Sequence, residues 1–103
     1  MEKSLVFGIK NYEQDDIKNI LEKVLSIKFN EHSSEEQDYL FAGDDNAENF
    51  VIHHNYNDEY WDYPNHKECK IILIINVTSR YEYLQKLLTE KIPELVLLEV
   101  FEE

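Results

Sequence analysis

The side chains in this sequence that could bind a metal ion are His53, His54, His66 and Cys69. Imidazole and thiolate are good ligands for Zn²⁺. The two adjacent histidines would point to opposite faces of a strand, and His66 with Cys69 lacks the paired short spacings of a structural zinc site. We therefore expect no metal and no cofactor. A small hydrolase with a metal at His66 and Cys69 is kept as an alternative.

Motifs that carry out catalysis are missing from the sequence. It has no phosphate-binding glycine loop, no Gly-x-Ser-x-Gly and no His-Glu-x-x-His, and it contains two glycines in all. Neighbouring carboxylates such as Asp44 and Asp45 could act as acid and base, but so could almost any pair in a chain this acidic. Cys69 is expected to be a small buried hydrophobic residue. The sequence therefore predicts no enzymatic activity.

Negative charge dominates the 103-residue chain, which has 22 Asp and Glu against 10 Lys and Arg, for a net charge of −12. This balance argues against binding to nucleic acid, whose phosphates attract basic proteins. No Lys or Arg occurs between Lys28 and Lys67. That stretch holds ten carboxylates: Glu31, Glu35, Glu36, Asp38, Asp44, Asp45, Glu48, Asp58, Glu59 and Asp62. Such a block attracts a basic partner, or simply forms a solubilising face.

Large aromatic residues alternate with acids in segment 55–64, which the sequence predicts to be a loop. Tyr and Trp supply much contact area at little cost in rotamer entropy, and flanking carboxylates can pair with Lys or Arg. Alternatively, these rings cover a sheet face or fix the loop. The residues predicted to bind a partner are Asp44, Asp45, Glu48, Tyr56, Asp58, Glu59, Tyr60, Trp61, Asp62 and Tyr63.

The elements that must position these residues follow from the apolar pattern. A strand is predicted over 4–9, and the stripe Ile17, Ile20, Leu21, Val24 and Leu25 predicts an amphipathic helix over 14–26. A short strand over 27–31 precedes a polar turn over 32–36. A hairpin over 38–42 and 49–56 then turns at Gly43-Asp44-Asp45-Asn46.

The remaining third of the chain predicts a strand, a helix and a strand. The run IILII within 70–77 is typical of a central strand covered on both faces. Ser79 and Glu82 form a capping-box pattern, and Tyr83, Leu84, Leu87 and Leu88 give the helix an apolar face up to Pro93. The last strand, over 95–101, precedes Glu102 and Glu103, whose charges discourage pairing at a sheet edge.

This order predicts an α+β fold in one domain over 1–103. The expected architecture is a two-layer α/β sandwich, a ferredoxin-like variant with two helices on one face of a mixed, mostly antiparallel sheet. Cys69 is alone and cannot form an intramolecular disulfide, and the first sixteen residues lack the apolar stretch of a signal peptide or membrane span. We therefore expect a cytoplasmic protein that does not bind membranes.

The layout resembles that of the small acidic immunity proteins of bacterial contact-dependent inhibition and related polymorphic toxin systems. The resemblance lies in the first strand, the helix of YEQDDIKNILEKVLSIKFNEH, the acidic middle DYLFAGDDNAENF, the apolar IILIINVT, and the end LLEVFEE. It implies a cytoplasmic protein that binds one cognate toxin domain, often a nuclease, and blocks its active site or a neighbouring surface.

Two further interpretations remain open from the sequence. One is a structural or regulatory subunit that self-associates through an exposed strand edge. The other is a decoy of nucleic acid that binds a basic nucleic-acid-binding protein with no toxin involved. The oligomeric state is not predicted.

Overall fold

A computed structural model describes residues 1–35 and 37–102, which form an α+β fold. Its elements are β1 (Lys3–Ile9), α1 (Gln14–Leu25), β2 (Asn30–Ser33), β3 (Asp38–Gly43), β4 (Asn49–His54), β5 (Ile71–Thr78), α2 (Tyr81–Lys91) and β6 (Leu95–Glu102). A 3₁₀ turn, Pro64–His66, lies in the long connection between β4 and β5. Within the described residues, neither helix is long and apolar enough to span a membrane.

The six strands form one sheet in the order β2-β3-β4-β5-β1-β6. Every pairing is antiparallel. The sequence predicted a mixed sheet, and that part of the prediction is wrong. The reason is the position of β1. The helix α2 connects β5 to β6, two strands that run in the same direction, but β1 lies between them and pairs with both.

The core lies on one face of the sheet. Alternate side chains of β1 (Leu5, Phe7 and Ile9) and of β5 (Ile71, Leu73 and Ile75) pack in one cluster with buried residues of both helices. Helix α1 contributes Ile17 and Leu21, and α2 contributes Leu84 and Leu88. These are the stripes that the 3.6-residue period predicts. Both predicted helices are therefore confirmed, and each buries the apolar face toward the sheet.

Segment 55–70 packs against part of the opposite face. Gly8 points away from the core, and a Cβ at this position would lie 2.7 Å from Cys69 Sγ. Cys69 is fully buried, and burial raises the pKa of its thiol. The loop therefore lies directly on the backbone of β1, and only a glycine leaves room for it.

The strand predicted over 27–31 begins three residues later, at Asn30. Ser26 ends α1 in the left-handed region, with φ at 54°. The Phe29 N–H then donates to the Glu22 carboxylate of the helix at 2.8 Å, and the Phe29 ring enters the core. The backbone at Phe29 is thus bonded to α1, and strand β2 starts only at Asn30. His32 and Ser33, predicted as turn, pair with Tyr39 and Asp38, while Glu36 lies outside the described residues.

The capping box predicted for α2 is also wrong. The helix begins at Tyr81, with Arg80 at the N-cap and no side-chain cap. Thr78 Oγ1 instead accepts from the Arg80 N–H at 3.1 Å, so the turn is closed from the preceding strand. Tyr83 does not belong to the buried face, since it is 58% exposed, whereas Leu84 and Leu88 are buried.

The other predicted strands are confirmed with small changes at their ends. Strand β4 stops at His54 and does not reach Tyr56, because the buried Asn55 turns the chain. Strand β5 is central, but Ile74 is half-buried, so the second face is not fully covered. Strand β6 is an edge strand ending at Glu102, and the predicted role of Glu103 lies outside the described residues.

Candidate binding surface

Asn55 holds segment 55–70 together. Its buried side-chain Nδ2 donates to the carbonyls of Tyr63, His66 and Cys69 at 3.3, 3.1 and 2.9 Å. Its Oδ1 accepts from the Tyr63 N–H at 2.8 Å, and its own N–H donates to Lys70 O at 2.9 Å. Asn55 therefore ties the start of segment 55–70 to its middle and to its end.

Asn57 shapes the exposed tip of the same loop. Its Oδ1 accepts from the backbone N–H groups of Glu59 and Tyr60, both at 3.0 Å, which is an Asx turn. Asp58 sits inside this turn with φ at 78°. The side chains of Asp58, Glu59 and Tyr60 are exposed, and Tyr60 shows 48% of its surface to solvent. The tip thus presents two acids beside one aromatic ring.

The other three aromatic residues are partly used by the fold. Tyr56 and Trp61 face each other with ring centroids 5.1 Å apart, and Lys67 Nζ lies 5.6 Å from the Trp61 ring. Trp61 is half-buried, while Tyr56 is exposed. Burial raises the pKa of the Tyr63 hydroxyl, and its hydrogen bond to the Glu99 carboxylate raises it further. Tyr63 therefore fixes the loop on β6, and Tyr56 and Tyr60 remain available to a partner.

Asp62 anchors the loop on β4. Its carboxylate lies 3.6 Å from His53 Nδ1, which also lies 3.2 Å from Gln37 Nε2 and 2.8 Å from the His54 carbonyl. His53 faces the loop, whereas His54 lines a cleft beside Gln14 of α1. The two histidines thus point to opposite faces, as the strand alternation predicts. Within residues 1–35 and 37–102, no cluster of His, Cys, Asp and Glu has the arrangement of a metal site.

The acids of the β3–β4 turn do not join this loop. Asp44 and Asp45 are exposed at the end of the sheet where β3 passes into β4, while the aromatic loop begins where β4 ends. Strand β4 is six residues long, so it holds the two groups roughly 17 Å apart. The ten predicted residues therefore form two separate groups.

Glu48 is engaged within the protein. Its carboxylate accepts from Arg80 Nη2 at 2.7 Å and from Thr78 Oγ1 at 2.6 Å. The hydrogen bond from Arg80 is the main cause that holds the pKa of Glu48 below its usual range. Its role is to fasten the β3–β4 turn to the start of α2, although it was predicted as a contact residue.

A cleft of about 570 Å³ opens beside the loop. Its walls are Gln14, Gln37, Asp38, His54, Tyr56, Asn57 and Asp58. Asp38 and Asp58 contribute carboxylates, and the lining contains no Lys or Arg. The cleft is therefore suited to a cationic side chain, with Tyr56 as a flat neighbour.

The fold gathers the stretch free of Lys and Arg into one half of the sheet. Strands β2, β3 and β4 are adjacent, and the loop up to His66 follows them. Most of the chain's lysines and its arginine belong to β1, α1, α2 and the neighbouring connections, but Lys67 and Lys70 lie in segment 55–70 itself. This half of the sheet is thus strongly acidic, although Lys67 lies beside the Trp61 ring and Lys70 lines a hollow with Tyr56 and Trp61.

Sequence reasoning missed Asn55 and the ring cluster of His32, Tyr39 and Phe41. His32 stacks on Tyr39 with centroids 5.4 Å apart and meets Phe41 edge-on at 5.7 Å. The alternation of Tyr39 and Phe41 with Leu40 and Ala42 was a usable signal, because it places two rings on the side away from the core.

Comparison of the sequence with protein-family models and with curated proteins finds no match.

Proposed function

We propose that this chain is an immunity protein of the bacterial toxin type, which binds a basic toxin domain and blocks it. The observation that carries the proposal is the exposed tip of the loop, where Tyr60 stands beside Asp58 and Glu59 next to the acidic half of the sheet. Aromatic rings flanked by carboxylates are suited to a surface rich in Lys and Arg. The proposed location is the bacterial cytoplasm.

The mechanism we favour is occupation of a phosphate-binding site. A nuclease active site is basic because it must hold phosphates. Carboxylates of Asp58 and Glu59 can accept hydrogen bonds from the same Lys and Arg side chains, and Tyr60 and Tyr56 exclude water around them. The cleft beside Tyr56 would receive one further cationic side chain of the toxin.

The fold that we propose with this function is a ferredoxin-like, two-layer variant. Elements β1, α1, β4, β5, α2 and β6 follow the β-α-β-β-α-β order, and β2 with β3 is an insertion added at the β4 edge. The inserted strands belong to the acidic half. In this proposal the common fold is a scaffold, the insertion carries part of the acidic surface, and the connection after β4 carries the loop tip.

The test is a pull-down of the tagged protein with the product of the adjacent upstream gene, followed by growth with that product expressed alone or together with this protein. Capture of a basic domain whose toxicity this protein relieves would support the proposal. Absence of both capture and rescue would overturn it. A variant with Asp58, Glu59 and Tyr60 changed to Ser tests the loop tip itself. We expect it to fold but not to rescue growth.

A second candidate function, self-association as a structural subunit, is favoured by strand β6. This edge strand exposes Leu97, Val100 and Phe101, and apolar edges pair with other strands. Light scattering at micromolar concentration distinguishes the two functions. A homodimer that captures no toxin domain would favour the second.

A further inference from the structure

An apolar row crosses the sheet on the face opposite the core. Phe41 of β3 pairs with Val51 of β4, and Val51 pairs with Ile74 of β5. All three are half-buried and lie outside the core cluster, because their neighbours along each strand point into it. We call Phe41, Val51 and Ile74 the open-face row.

Aromatic rings extend the open-face row to the edge of the sheet. His32 of strand β2 stacks on Tyr39 and meets Phe41 edge-on. Next to them, Ser34, Gln37, Tyr39, Val51 and His53 line a mainly apolar hollow of about 190 Å³. On the other side the row adjoins segment 55–70, since His53 contacts Asp62 of that loop. The apolar surface is thus continuous with the proposed binding loop.

Charge indicates what can cover this surface. Strands β2, β3 and β4 contain no Lys or Arg, and the Asp62 carboxylate lies beside the row through its contact with His53. A second copy of the chain would bring another net charge of −12 against the first. A basic protein surface would instead be attracted, and its Arg side chains could stack on the Tyr39 and Phe41 rings.

We propose that the open-face row is the apolar centre of an interface for a Lys- and Arg-rich protein surface, with the loop tip at its border. This inference rests on the proposed function, since the partner would be the basic toxin domain. It deepens that proposal by moving the centre of the contact from the loop to the face of the sheet over β3, β4 and β5.

The test uses random 12-residue peptides displayed on phage and selected on the immobilised wild-type protein. We expect the selected peptides to combine Lys or Arg with aliphatic or aromatic residues. Their synthetic versions are then titrated against variants of Val51, the middle residue of the row. Val51→Lys and Val51→Glu both lose the apolar contact, but only the lysine also repels a basic peptide.

The expected result is binding about tenfold weaker for Val51→Lys than for Val51→Glu. The near-isosteric Val51→Thr keeps the strand and should bind more weakly than wild type. Leu97→Lys places the same charge at an exposed apolar residue of the edge strand β6; it is the control and should bind as the wild type does. Thermal unfolding of each variant checks that the sheet is intact.

Several results would overturn the inference. The first is a selection that yields neutral or acidic peptides, or no peptide at all. The second is equal binding by the Val51→Lys and Val51→Glu variants. The third is a wild-type dimer that Val51→Lys disrupts. The growth assay separates this failure from failure of the proposed function. If wild type and Val51→Lys rescue growth equally, the open-face row is not the centre of the interface and the toxin proposal stands. If wild type gives no rescue but the peptide results hold, the row binds a different basic protein.

Discussion

A single amide, that of Asn55, determines the shape of the candidate surface. Replacing Asn55 with Ala would leave the Tyr63 N–H without its acceptor and the Cys69 carbonyl without its side-chain donor. The carbonyls of Tyr63 and His66 would lose the same donor but keep their bonds from backbone N–H groups. Because unpaired buried polar groups are costly, we expect the free energy of unfolding to fall by about 2 to 4 kcal/mol. Urea denaturation at neutral pH measures it.

The matched control for Asn55 is Asn57→Ala, which removes an Asx turn at the exposed tip. We expect this change to cost under about 1 kcal/mol, because water can replace bonds at the surface. Similar losses for the two variants would show that Asn55 does not organise the loop.

Tyr60 is the cleanest test of binding at the loop tip. It is 48% exposed, so Tyr60→Ala removes a ring with little effect on the fold. If Tyr60 is an anchor, the affinity for the captured toxin domain should fall by about 2 kcal/mol, whereas Tyr83→Ala on α2 should cost under about 0.5. Calorimetry measures both. Trp61→Ala is expected to cost at least as much, but it also removes the contact with Tyr56. Equal small losses at Tyr60 and Tyr83 would remove the anchor role.

The pair of Glu48 and Arg80 predicts a pH dependence. Because the folded-state pKa of Glu48 is lowered, its stabilisation is complete above the unfolded-state pKa and is lost as the pH falls through the folded-state value. Glu48→Gln should therefore be less stable than wild type by about 1 kcal/mol at pH 7, a modest figure because both side chains are partly exposed. The difference should shrink below about pH 4. Urea denaturation at pH 7, 5, 4 and 3 measures it, and a constant difference would contradict this account.

At the scale of elements, the contact between β1 and segment 55–70 depends on Gly8. Gly8→Ala would place a Cβ 2.7 Å from Cys69 Sγ and 2.8 Å from its Cβ. The loop must then shift, so we expect a loss of about 1 to 3 kcal/mol in stability. Thermal unfolding of Gly8→Ala, Cys69→Gly and the double variant forms a cycle. A favourable coupling between the two changes is expected, and simple additivity would show that the contact is not tight.

Elements with a strong periodicity of apolar residues were predictable from the sequence. Element boundaries that depend on a hydrogen bond between distant residues were not. The stripe of Ile17 and Leu21 and the IILII run depend on local alternation alone, so α1 and β5 were correctly predicted. The start of β2 depends on the bond from Phe29 to Glu22, and the start of α2 depends on Thr78 and on the ion pair with Glu48. Such contacts leave no period in the sequence.

The candidate site was predictable in composition but not in layout. The acids and aromatic rings of 55–64 do lie in a loop, yet Asp44 and Asp45 lie at the far end of β4. Glu48 and Tyr63 are bonded within the fold to Arg80 and Glu99, partners that are distant in the sequence. The open-face row needs the sheet register, because Phe41, Val51 and Ile74 come from three separate segments.

At the scale of the whole molecule, the net charge of −12 gives salt two opposite effects. Self-repulsion destabilises a strongly charged compact state, so the melting temperature of the free protein should rise as NaCl is increased from 20 to about 300 mM. Attraction to a basic partner is screened by the same ions. The association rate with the captured toxin domain should therefore fall by about tenfold or more over that range, while the dissociation rate changes little. Stopped-flow mixing and thermal unfolding in the same buffers measure the two effects. A rate that does not depend on salt, in a protein whose stability does, would mean that the acidic half serves the free protein and does not guide the partner.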